Sequence, residues 1–318
     1  MSEGKKEKIN VLSLFDGMSC GQIALNKAGI EYENYFASEI NEKAIFVANK
    51  NYPNTKQIGS IVDVKGSDLP NIDLLIGGSS CQNFSFVGSM IGMKSEDDIE
   101  ILTLEHYLDL KNNDFNFKGE SYLFWEFIRI LKETKPKNFL LENVKMSKKW
   151  QDVITEAIGV EPIFINSKFF SAHNRPRLYW TNLVVDEIKV ENKDCVYDIL
   201  EEDATFNKNY ANWMLNKWGD KTRLDAFFNA NGKASCLTAN MAKGQKATYC
   251  VNDDKEIHKY TPIECERLQT VPDNYTSGVA NSHRFHMLGN GWTVDVIAHI
   301  FSSLKGEEIF NNFSNENV

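Results

Sequence analysis

Five short apolar runs, spaced along most of the chain, constrain its fold more than any other feature. They are Asn10–Phe15, Tyr35–Glu39, Leu74–Gly77, Phe139–Glu142 and Leu178–Asn182. Helix-like patterns lie between them, including Gly21–Ala28, Glu42–Asn49 and Tyr122–Lys132. Continuous apolar runs this short read as strands buried on both faces. Their alternation with helices implies a parallel sheet covered on each side. The expectation is an α/β fold of the Rossmann type. Open sheets of this kind bind ligands beyond the carboxyl ends of their strands. The residues that close the runs are therefore the candidates for chemistry.

The third run leads into Gly78-Ser79-Ser80-Cys81-Gln82-Asn83-Phe84-Ser85. Gly77-Gly78 marks an abrupt strand end. A cysteine just past a strand tip faces the crevice, where its thiolate is the reactive form. An isolated cysteine is more often a buried structural residue, but four further segments change the balance. Val11–Leu25 reads as strand, glycine turn and helix, with Gly17 and Gly21 permitting close approach of a ligand to the backbone. Glu39 follows about 20 residues later, where doubly wound folds place the carboxylate that binds ribose hydroxyls. Glu142 closes the fourth run and becomes a candidate general acid if burial raises its pKa. Arg175 and Arg177, two residues apart at a strand entrance, point to one side and offer fixed planar donors. Taken singly, each of these is as readily a solvated strand end.

Together they resemble the DNA cytosine-5 methyltransferases, in that family's motif order, from about Lys8 to Lys305. Phe15-Asp16-Gly17 with Gly21 resembles the methyl-donor loop, and Gly78-Ser79-Ser80-Cys81-Gln82 with Ser85 the nucleophile motif. Glu142-Asn143-Val144 and Arg175-x-Arg177 resemble the next two. Tyr260–Gln269 and Leu288–Val294 look like the closing pair. The wording is most similar to the catalytic domains of the eukaryotic de novo enzymes. The resemblance implies an S-adenosylmethionine-dependent methyltransferase sheet with a small inserted target-recognition domain. It implies Cys81 as nucleophile, Glu142 as the group that protonates N3 of cytosine, and Arg177 on O2. Arg175 would support Glu142 or a phosphate. The S-adenosylmethionine pocket would comprise Phe15, Asp16, Gly17, Gly21, Glu39, Ile40, Ile61, Asn290, Gly291 and Trp292. Gln82, Ser85 and Asn143 would serve the DNA side, with Asn143 also bracing the end of the Glu142 strand. Two departures stand out. Ser80 replaces the proline usual before the nucleophile, and Ser60 stands where an aspartate often contacts the adenine amine.

The chain of 318 residues suffices for one large domain and a small one. We expect residues 1–190 with 257–318 to form the catalytic domain and 191–256 the recognition region. There is no long apolar run, the N-terminus is polar, and the six cysteines form no C-x-x-C pair. Neither a metal site nor a disulfide framework is suggested, which fits a reducing cytoplasm, in a prokaryote or a phage-infected cell. The oligomeric state is not legible. The net charge of −9 argues mildly against a nucleic-acid partner. Its distribution argues the other way. Thr205–Cys250 holds seven basic residues against two acids, among them Lys243 and Lys246 beside Gly244. That segment is the expected face for double-stranded DNA. Gly88–Lys118 instead holds seven acids against three bases, with helical periodicity over Ile99–Leu110. It reads as an insertion facing away from phosphate, or as a cap for another protein. An RNA substrate, transfer of a modified methyl group, or a catalytically silent homologue that binds DNA or a partner remain as alternatives.

Overall fold

The computed structural model describes residues 8–79, 93–189, 191–208, 212, 228–244 and 246–305. Ser80, Cys81, Gln82 and Ser85 lie outside the described residues, as do Lys217, Lys221 and Arg223 of the basic segment.

A seven-stranded sheet organises the molecule. Its strands are β1 (Ile9–Leu14), β2 (Tyr32–Ser38), β3 (Lys56–Gln57), β4 (Leu74–Gly78), β5 (Asn138–Val144), β6 (Ile163–Asn166) and β7 (Pro176–Thr181), in the order β3-β2-β1-β4-β5-β7-β6. All five expected strands are present, shifted by a few residues at their ends. Side chains alternate between two cores, as the period of a strand requires. Val11, Tyr35, Ala37, Leu74 and Ile76 enter one core. Leu12, Leu14, Phe36, Leu75 and Leu141 enter the other. Helices α1 (Cys20–Ala28), α2 (Glu42–Asn51) and α8 (Val294–Phe301) cover the first face. Helices α3 (Leu104–Asn112), α4 (Phe124–Thr134) and α5 (Lys148–Ile158) cover the second. The strand order reverses between β1 and β4, which opens a crevice at their carboxyl ends.

The expectation of a parallel sheet needs correction. β7 runs antiparallel to both β5 and β6. The reversal matters for function. Antiparallel pairing sets Val144 opposite Arg177 and Glu142 opposite Tyr179, so the start of β7 lies at the carboxyl end of β5. A parallel β7 would have carried its arginines to the opposite edge of the sheet.

The acidic segment is also more ordered than its composition suggests. Helix α3 spans Leu104–Asn112, and Ile99–Thr103 is not helical. Met93, Ile101, Leu104, Tyr107 and Leu110 are buried in the second core. Several of its charges are matched locally. Asp98 pairs with Lys118 at 2.8 Å, and Glu100 with Lys149 at 2.5 Å.

A three-stranded sheet, β10-β9-β8, comprises β8 (Phe228–Asn229), β9 (Tyr249–Val251) and β10 (Ile257–Lys259). It reaches three residues beyond the expected recognition region. Val196, Ala230, Leu237 and Cys250 join the same core as α1 and β1. The chain then enters α6 (Pro262–Leu268), α7 (Asn281–Asn290) and α8. Helix α6 begins with a capping box between Thr261 and Glu264, with proline in its first turn. Gly289 lies where α7 meets the backbone at Thr238. A Cβ there would stand 2.2 Å from the Thr238 carbonyl carbon. Backbone cannot rotate aside as a side chain does. Gly289→Ala should therefore destabilise the fold by about 1–3 kcal/mol or more, read as a lowered denaturation midpoint. An unchanged midpoint would mean that this contact is not made.

Candidate active site

Glu142 is the chemical centre of the strand edge. The β5 register places it on the buried lip of the crevice, where its side chain retains only 9% of its surface. Both oxygens are occupied. Oε1 accepts from Arg177 Nε at 2.8 Å, and Oε2 from the Trp292 indole N–H at 3.0 Å. An ionised carboxylate this buried needs such partners. Gly78 completes the enclosure at the end of β4. A Cβ on it would stand 2.9 Å from Trp292 Nε1 and 3.1 Å from Glu142 Oε2. Asn143, almost wholly buried, donates to the Ser79 hydroxyl at 2.9 Å. It thus ties β5 to the end of β4.

Arg175 does not support Glu142 directly. Its guanidinium donates to the carbonyls of Leu237 at 3.0 Å, Gly289 at 3.0 Å and Gly291 at 2.8 Å. With 3% of its surface exposed, it is also closed to a phosphate. The Gln269 amide donates to Leu288 and Gly291 carbonyls at 2.7 and 3.0 Å. Arg175 and Gln269 together fix the turn that presents Trp292 to Glu142. His173 accepts the Leu237 N–H at 3.0 Å. Burial, with Arg175 and Arg177 nearby, holds its pKa well below the ordinary histidine value.

Two groups here escaped the sequence reading. Trp292 was expected to line the methyl-donor pocket, yet its indole binds Glu142. Cys236 was passed over for want of a paired cysteine. Its sulfur accepts from Arg175 Nη1 at 3.5 Å and Arg177 Nη2 at 3.7 Å. Burial alone would raise that thiol, but the two arginines bring its pKa below the ordinary value. Nothing in the local sequence around Cys236 signals this contact.

A second cluster lies at the ends of β1 and β2. Glu39 accepts N–H groups from Gly17 through Oε2, and from Ile40 and Asn41 through Oε1, each at 2.8 Å. A carboxylate has about four acceptor sites, so capacity remains for a hydroxyl. Phe15 adopts φ +58° and Gly17 φ +58°. The left-handed conformation is strained for a phenylalanine. Gly21 allows α1 to approach the sheet, since a Cβ there would meet Ile76 Cδ1 at 2.5 Å. Asp16 is buried and accepts from the Tyr35 hydroxyl at 2.7 Å, while its Oδ2 has no partner among the described residues. Burial pushes its carboxyl up to about 6. Ile40 is 74% exposed. Ile61 is buried in the second core. Gly291 packs towards Met18 and Cys20 of the turn after β1. Asn290 is exposed at the end of α7, 3.2 Å from His286. On the basic segment, Lys243 is exposed, but Lys233 is consumed by the carbonyls of Ser171 and Asn192. Lys208 pairs with Glu256 at 3.5 Å. For Lys246 only the backbone is described, in a short 3-10 turn.

The profile of the C-5 cytosine-specific DNA methylases matches residues 9–179 and 165–306. The chain belongs to that family. It is 32% identical over 197 residues to the orphan methyltransferase M.SPRI of Bacillus phage SPR, a match covering 58% of this chain and 40% of that protein. It is 25% identical over 340 residues to the type II methyltransferase M.Bsp6I of Bacillus sp., covering 93% and 98% of the two chains. Among solved structures, the Entamoeba histolytica methyltransferase EhMeth superposes with a TM-score of 0.68 at 16% identity, over 94% of this chain and 99% of that one. The last likeness concerns the fold.

The Gly78 contacts give a direct check on the site. Gly78→Ala must displace either Trp292 or Glu142, because both lie within van der Waals contact of the new methyl group. Turnover should fall by roughly tenfold or more, the effect of misplacing a reacting group by a fraction of an ångström. Donor affinity should change little. Wild-type turnover in a folded variant would contradict the enclosure described here.

Proposed function

We propose that the protein is a DNA cytosine-C5 methyltransferase that uses S-adenosylmethionine and a covalent Cys81 intermediate. The observation that carries the reading is the seat of Glu142. It lies between Arg177 and Trp292, beside the end of the strand that leads within three residues to Cys81. The donor cluster supports the same reading. An unpaired buried carboxylate oxygen on Asp16 complements an ammonium group, Glu39 has capacity for ribose hydroxyls, and exposed Ile40 offers an apolar surface to a ring. When bound, S-adenosylmethionine supplies an electrophilic methyl group.

This chain's residues then have distinct tasks. C5 of cytosine is a poor nucleophile, and the base must leave the duplex stack to be reached. The Cys81 thiolate adds to C6, and the displaced electron pair moves into the ring. Glu142 shares a proton with N3 and Arg177 neutralises O2, so the ring does not carry a full negative charge. C5 becomes nucleophilic and takes the methyl group. Loss of the C5 proton then restores the ring double bond and expels Cys81. Splitting one difficult substitution into addition and elimination is the gain of covalent catalysis. Exposed Lys243, with Lys246, would meet the phosphate backbone.

Tritium transfer to duplex DNA, followed by mass spectrometry of the base, tests the assignment. Transfer RNA run in parallel tests the substrate class. A duplex carrying 5-fluorocytosine should trap the protein covalently at Cys81, because fluorine cannot leave as a proton does. Cys81→Ala should lose both the adduct and transfer while retaining donor binding. Turnover by Cys81→Ala would remove the nucleophile from the mechanism.

The Asp16 carboxyl adds a pH dependence. With its pKa near 6 in the free protein, Asp16 is mostly protonated below that value. A bound ammonium favours the charged form, so donor binding releases a proton in this range. Affinity should rise with pH by up to roughly tenfold per unit below 6 and level off above about 7. Calorimetry of donor binding from pH 5 to 8 reads this directly. Asp16→Asn should flatten the profile, and a flat wild-type profile would refute the role.

A further inference from the structure

One buried charge takes no part in this chemistry. Glu126, on α4, is fully shielded from solvent. Its Oε1 accepts from the Tyr107 hydroxyl and from Lys111 Nζ at 2.6 Å, both on α3. Its Oε2 accepts from Arg129 Nε at 2.6 Å. The other arms of the same guanidinium leave the core. Nη2 donates to the Ile61 carbonyl at 3.0 Å, and Nη1 to Glu133 Oε1 at 2.8 Å. Glu133 Oε2 in turn accepts the Gly66 N–H at 2.7 Å. Lys111 also reaches the Val62 carbonyl, at 3.5 Å. Both ends of the 61–66 loop are therefore held from α4 through groups that Glu126 orients.

The fork of an arginine is rigid. Fixing Nε on Glu126 decides where Nη2 points, and so where the Ile61 carbonyl sits. Glu126 in turn depends on α3, because Arg129 supplies only one of its neighbouring cations. Removing a partner from a buried carboxylate leaves a charge that must recruit another donor or take up a proton. Without Lys111 the carboxylate keeps only the Tyr107 hydroxyl and Arg129, so its hold on the guanidinium changes. Helix α3 belongs to the acidic segment after the nucleophile.

We propose that α3 is a positioning element of the methyl-donor site. Lys111 neutralises Glu126, Glu126 sets the fork of Arg129, and Arg129 holds the Ile61 loop against the donor pocket. The inference rests on the assignment of that strand edge to S-adenosylmethionine under the proposed function. Lys111 and Glu126 touch no reacting atom and act through Arg129. The acidic segment thereby gains a task inside the enzyme, independent of DNA or a protein partner.

The experiment uses the full chain, with calorimetry of S-adenosylhomocysteine binding and steady-state kinetics on duplex DNA. Lys111→Met should raise the donor Kd and KM by roughly five- to tenfold, the usual range for a coupling of this kind, with kcat at saturating donor retained. Lys111→Arg should restore affinity. Adding Glu126→Gln to Lys111→Met should cause no further loss, since both changes act on one guanidinium and are not additive. If Lys111→Met melts at a temperature too low for assay, Glu126→Gln, which buries no unpaired carboxylate, carries the measurement and should raise the donor Kd over wild type by a similar factor. Wild-type donor affinity in folded Lys111→Met, or additive losses, would overturn the proposal. Wild-type protein that binds no donor at all would instead overturn the assignment of the pocket, a distinguishable result.

Discussion

The pairing of Glu142 with Arg177 is the interaction on which the rest of the site is built. A carboxylate on the lip of a mostly apolar sheet is unfavourable unless a cation and further donors accompany it. The chain supplies the cation by reversing one strand. Because β7 runs against β5, Arg177 enters the sheet two register positions from Glu142, and its guanidinium lies within the same buried space. Trp292 provides the second donor from a distant part of the chain. The catalytic edge thus joins three segments that the hydrophobic pattern alone would not associate.

Holding Trp292 in place requires a further layer. Arg175 and Gln269 bind carbonyl oxygens of the turn between α7 and α8. Such carbonyls at a helix end lack intrahelical partners and are costly to bury unpaired. Arg175 satisfies them while keeping its charge close to Arg177. The two neighbouring guanidinium charges lower the Cys236 thiol against the effect of its burial, and they add to the burial that holds the His173 pKa down. The same charges favour an electron-rich base edge over a cation. The motif that supplies Arg177 therefore also supplies the brace that positions its neighbour.

Much of this was legible in the sequence. The five strands, their crevice and the residues that close them follow from apolar runs and glycine turns. Glu39 and Glu142 stood out because each closes an apolar run, and Gly17 because it lies in the turn just after one. The orientation of β7 was not legible, since a strand carries no mark of direction and the two-residue spacing of the arginines is the same either way. The division of labour between Arg175 and Arg177 was hidden for a related reason. Both point to one side, and only the packing of α7 decides which meets carbonyls and which meets Glu142. Charge counting over Thr205–Cys250 misjudged Lys233, because a count cannot distinguish a lysine facing solvent from one bound to carbonyls.

The donor edge shows why such sites resist reading from pattern. Phe15 holds a left-handed conformation that costs about 1–3 kcal/mol in a residue with a side chain. The surrounding bonds over-determine it. Asp16 N–H donates to the Ser38 carbonyl at 3.1 Å, and Gly17 N–H donates to Glu39. The turn after β1 is thus fastened to the end of β2 by the two residues that follow the strained one. Relaxing Phe15 would break those bonds and move Glu39 with them. The strain and the Glu39 carboxylate are consequently parts of one arrangement, in which the backbone of the first turn sets the position of an acid 22 residues further on.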